Sequence, residues 1–201
     1  VCFEYGQIPG PNEVWTHERL IRIKQDALPY GFEAIAAERA EWKAKLDEIR
    51  NEVIANRTEV QDMQKSVEQS RKENKPFERD SQVPRLAEVQ KEVADKSQKL
   101  SATLADHPLF EHLSPTLDQV AKDDAIPASE KTAQVPQTQE LAAKDEALKQ
   151  AINELNEAET RLNELEKKFD QAAARERELF ELQRIANKTE QLAKDTENNE
   201  N

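Results

Sequence analysis

Ile35, Trp42, Leu46, Ile49, Val53, Val60, Met63 and Val67 are spaced by 7, 4, 3, 4, 7, 3 and 4 residues. That alternation places one apolar side chain on the same helix face at every turn or two. Arg39 and Asn56 occupy the two skipped positions. No Gly or Pro interrupts residues 33–74, so the pattern predicts a helix about 63 Å long. A second stripe, Leu86, Val89, Val93, Leu100 and Leu104, predicts a helix over 84–106. Pro108 then disfavours helix at His107. Ser114-Pro115 is a restart signal, a capping hydroxyl followed by proline at the first helical position, and Leu117 and Val120 extend it over 115–125. Residues 125–137, with Pro127 and Pro136, show little periodicity. A last helix is predicted over 138–194 on a seam from Leu141 through Leu148, Leu155, Leu162, Leu165 and Phe169 to Leu179. The seam drifts around 176–185, as a stutter would make it. Residues 195–201 are expected to fray.

The span lengths suggest an assembly. Residues 33–74 and 84–125 are equally long, and the last helix covers both. Short links favour antiparallel neighbours. The expected fold is therefore all-α: an elongated three-helix bundle or coiled coil, up-down-up, its middle arm kinked by Pro108 and Pro115. In that reading Leu109, Phe110 and Leu113 plug the kink, or else form a knob that a partner grips. Asn56 in the seam either fixes register and partner number or marks a wet, widened layer.

Residues 1–32 read differently. They hold all three glycines, three prolines and five aromatics, among them Trp15, Tyr30 and Phe32. The Gly6–Pro11 stretch excludes helix, and Asn12 can cap a short helix that Pro29 and Gly31 end. This segment forms a separate N-terminal unit that either covers one end of the bundle or offers aromatic anchors to a partner.

Composition supports the helical reading and narrows the function. Half of the residues are Ala, Glu, Lys, Leu or Arg, the signature of long helices. Only 36% are hydrophobic and the net charge is -12, which argues against a thick globular core and against a grip on phosphates, so no nucleic acid partner is expected. No apolar run approaches the ~18 residues of a membrane span, so no membrane insertion is expected. The lone Cys2 excludes an internal disulfide. Val1 in place of methionine suggests a processed product or fragment, with a lean to a secreted or cell-surface location.

Candidate chemistry is sparse. His17, His107 and His112 match neither H-E-x-x-H nor E-x-x-H. There is no G-x-S-x-G, and carboxylates alternate with Lys and Arg along helix faces instead of converging. No catalytic residue, metal or cofactor is assigned. The sequence points to a non-enzymatic helical recognition module that binds a protein partner or cell-surface receptor, with Trp15, Tyr30, Phe32, Leu109, Phe110 and Leu113 as candidate contacts. In general style such bundles are similar to receptor-binding segments of colicin-type bacteriocins, an analogy of architecture that no motif carries. The alternative is a rigid coiled-coil spacer or scaffold that self-associates through its seams.

Overall fold

The computed structural model describes residues 30–199, and side-chain surroundings from 35 to 196. The chain divides into two units, Val1–Ala34 and Ile35–Asn201, and the second contains the helix packing. Helix α1 spans Tyr30–Glu73, α2 Val83–Ala105, α3 Ser114–Gln119, α4 Ile126–Gln134 and α5 Leu141–Asn199. A π-helical turn, Val120–Ala125, joins α3 to α4 with helical dihedrals at both junctions, so the three form one rod.

The described residues therefore make a four-helix bundle, up-down-up-down, and the expected three-helix coiled coil is corrected. The stretch read as one kinked middle arm is a hairpin. α2 runs down to Ala105, the chain reverses over 106–113, and the third rod returns beside α2. Ser101 meets Ser114 near the reversal, and Ser129 reaches the Ala87 carbonyl at the far end. Residues 125–137, read as irregular, are the second half of that rod.

The physical reason is the use of small residues. α2 buries Ala87, Ala94, Ser97 and Ser101 beside its Val and Leu positions, and the third rod buries Ala121, Ala125, Ala128, Ser129 and Thr132. These widen each apolar stripe enough to face two neighbours and let the two backbones approach closely. A reading built on large apolar residues sees only the side facing α1. Pro127 falls inside the rod, where its ring needs room at the carbonyl four residues back. The wider π turn immediately before it, in which the Ile126 amide reaches the Ala121 carbonyl, is the local accommodation.

The helix ends are fixed by specific groups. Asn74 takes a left-handed conformation (φ 54°) after α1. The Lys75 amide reaches back to the Ser70 carbonyl at 2.9 Å, in the manner of a Schellman motif. Ser114 is expected to cap a helix by its side chain; instead its hydroxyl pairs with Ser101 at 2.8 Å across the hairpin. Asp80, ahead of α2, accepts from Lys144 of α5.

Candidate functional site

Phe110 sits at the reversal of the hairpin and is fully buried. Its amide donates to the His107 carbonyl at 2.9 Å, which closes a turn where Pro108 prevents a regular helix. The ring meets Trp42 of α1 edge-on at 5.5 Å and Phe169 of α5 at 5.0 Å. His107 stands against both Trp42 and Phe110, at 5.2 and 5.4 Å. The turn thus docks onto α1 and α5 through an aromatic cluster, a geometry that aromatic pairs favour. Of the candidate contacts, Phe110 and Leu113 face inward and Leu109 packs partly against the core. Tyr30 and Phe32 begin α1, and Trp15 lies outside the described residues. His107 belongs to the cluster, whereas His112 is exposed.

A second feature is a polar layer inside the bundle. Gln90, fully buried on α2, donates from Nε2 to Asn56 Oδ1 at 2.7 Å, and Asn56 Nδ2 donates to the Leu86 carbonyl at 3.3 Å. Gln90 Oε1 has no partner. Asn56 is thus buried and paired with α2 instead of lying in a wet, widened layer. Sequence inspection finds Asn56 as a gap in the seam but gives no signal for Gln90.

The third is Asp124, in the π turn and only 1% exposed. Arg161 of α5 donates to its two oxygens from 3.1 and 3.2 Å. Burial pushes the carboxyl up to about 7, Arg161 opposes this, and Glu154, Asp123 and Glu157 add to it. A π turn that buries an acid is worth noting, because such turns cluster at functional positions. Here Asp124 and, at 3.7 Å, the more exposed Asp123 share one guanidinium, a structural pairing.

A polar ladder joins α1 to α5. Lys43, Arg50, Arg57 and Gln64 stand seven residues apart on α1. They reach Glu166 at 2.7 Å, Asn163 at 2.7 Å, Asn156 and Glu159, and Asp145 at 2.9 Å. Burial pulls the Lys43 ammonium down, but Glu166, Asp170 and Asp47 outweigh it and hold it above its ordinary value. The Lys43 hydrogen bond in turn holds Glu166 below the usual carboxylate range. Where the ladder ends, Arg39 and Glu176 form a buried ion pair. Past Glu176, α5 exposes Leu179, Leu182, Ile185 and Leu192. Leu179, predicted for the seam, lies outside it.

Among the described residues no group of three His, Cys, Asp or Glu side chains could hold a metal ion, and no helix is long and apolar enough to cross a membrane. Compared with protein-family models, curated proteins and solved structures, the chain shows no match.

Proposed function

We propose that this chain is a helical scaffold, a spacer that holds whatever is joined to it at a fixed separation. The ladder from Lys43 to Gln64 carries this reading. A simple apolar seam lets two helices slide by one turn at modest cost. Four polar pairs at heptad intervals, set beside the buried Asn56–Gln90 layer, lose all their partners together when the register shifts. Individually such half-exposed pairs contribute little; collectively they favour one alignment of α1 on α5. Phe110 adds to this by tying the hairpin to both long helices. The partner-recognition reading is supported less well, because Phe110 and Leu113, two of its anchors, point into the core.

The test is mechanical. In a Cys2→Ser background, spin labels replace the exposed Gln69 of α1 and Lys167 of α5. An alignment held by the ladder gives one narrow distribution of distances between the two helices. The double variant Arg50→Ala/Arg57→Ala broadens it. A broad or multi-peaked distribution in the parent chain overturns the proposal.

A further inference from the structure

α5 changes face where it leaves the bundle. Its buried residues Leu162, Leu165, Phe169, Ala172 and Glu176 recur at steps of three and four and share one side. Beyond them the exposed large apolar residues come three apart, Leu179, Leu182 and Ile185, and then Leu192, with the half-buried Phe180 beside the first of them. A step of three falls short of a full turn, so the stripe rotates around the helix. Ile185 follows Glu176 by nine residues, two and a half turns at roughly 3.6 residues per turn, and points to the opposite side. Leu179, Leu182, Ile185 and Leu192 are 53, 62, 56 and 67% exposed. One exposed leucine is ordinary, but a row of four along one helix marks a contact surface.

We propose that this outward face binds a second copy of the chain, as a parallel two-fold pair of α5 helices. The inference rests on the scaffold reading and names what the scaffold joins. Leu182, Ile185, Thr189 and Leu192 follow the 3, 4, 3 rhythm of a seam between two helices. Thr189 can enter it, because its hydroxyl already donates to the Ile185 carbonyl at 2.9 Å.

The flanking residues choose both the partner and the direction. One flank carries Leu179, Ala186 and Ala193, the other Glu181, Lys188 and Asp195. In a parallel pair, Glu181 faces Ala186 of the other copy and Lys188 faces Ala193, so no like charges meet beside the four seam residues. The antiparallel pairing that matches the same four seam residues sets Lys188 against Lys188 and Glu181 against Asp195, both repulsive. Local charge agrees. From Arg177 to Glu197 four basic residues stand against five acidic ones, within a chain of net charge -12. This stretch is close to neutral, so charge opposes the approach of a second copy here only weakly. Since the stripe points away from the face that α5 gives its own bundle, the two bundles lie on the outer sides of the helix pair.

Sedimentation equilibrium of the full chain under reducing conditions tests this. The expected mass is twice 23.0 kDa. The variant Leu182→Glu/Ile185→Glu, at exposed positions, is expected to keep the parent circular dichroism and melting of the bundle while sedimenting as a monomer. Direction is read in a Cys2→Ser background: Leu192→Cys alone cross-links in a parallel pair. In the antiparallel one it cross-links only when mixed with Leu182→Cys. A monomer at concentrations up to about 200 μM overturns the proposal. So does a dimer that survives the charged variant, or the antiparallel cross-linking pattern. Diluting the labelled chain in an excess of unlabelled chain confines the spin-label distance to one copy, so failure of the pair and failure of the spacer are separately visible.

Discussion

Phe110 shows how much a single side chain carries in this bundle. It closes the hairpin turn and fills the space between Trp42 and Phe169. Phe110→Ala is expected to cost about 3–5 kcal/mol, read by urea denaturation, because the turn cannot collapse into the void. Gln90 makes a different case. Gln90→Leu removes the donor to Asn56 and leaves a buried amide oxygen unpaired, so a loss of about 1–3 kcal/mol is expected. The double variant Asn56→Leu/Gln90→Leu should recover that loss while its amide NMR spectrum broadens or doubles, as the level of α1 on α2 is no longer fixed. Asp124 gives a pH signature. Its carboxyl is raised to about 7 in the fold, so the fold prefers it protonated. Its contribution is fully present below the unfolded value of 3.8 and is lost as pH climbs through about 7. Asp145 and Glu166 are shifted downward and act in the opposite sense, losing their contribution as pH falls, so only a comparison isolates Asp124. Asp124→Asn is expected to be more stable than the parent by about 1–2 kcal/mol at pH 8, a figure reduced for the exposure of Arg161, and to show no such advantage at pH 4. Thermal melts at the two values check the sign.

At the level of helices, the seams of α1 and α5 are legible in the sequence because their buried residues are large. Trp42 through Val67 and Leu148 through Phe169 lie in the core. The hairpin is hidden for the converse reason. Ala87, Ala94, Ala121, Ala125 and Ala128 bury little area each and leave weak periodicity, yet they are what permits α2 and the third rod to touch. The equal lengths of 33–74 and 84–125 then suggest a single arm where two shorter ones fold back. The prolines do mark interruptions, but of different kinds: Pro108 sits in the reversal, whereas Pro127 is absorbed by a π turn. Size is thus a constraint at this interface. Ala94→Leu and Ala128→Leu are each expected to cost about 1–3 kcal/mol by overpacking. Ala102→Leu, on the exposed face of α2, should stay within about 0.5 kcal/mol. Equilibrium unfolding of the three variants checks the contrast.

For the bundle as a whole, the distances along the chain between partners are unequal. Ser101 and Ser114 are 13 residues apart, while Lys43 and Glu166 are separated by 123. The hairpin closes a short loop; the α1–α5 ladder closes nearly the entire bundle, at a greater entropic cost. The hairpin should therefore organise early, as a platform onto which the first and last helices zip. Ala94→Gly should slow refolding, whereas Arg57→Ala should chiefly hasten unfolding, a division visible in the two limbs of a chevron plot. A ribosome releasing this chain would leave bare the side of the first helix that α5 covers until the last one emerged. The high polarity of the remaining faces of that first helix would keep it from clumping during the delay.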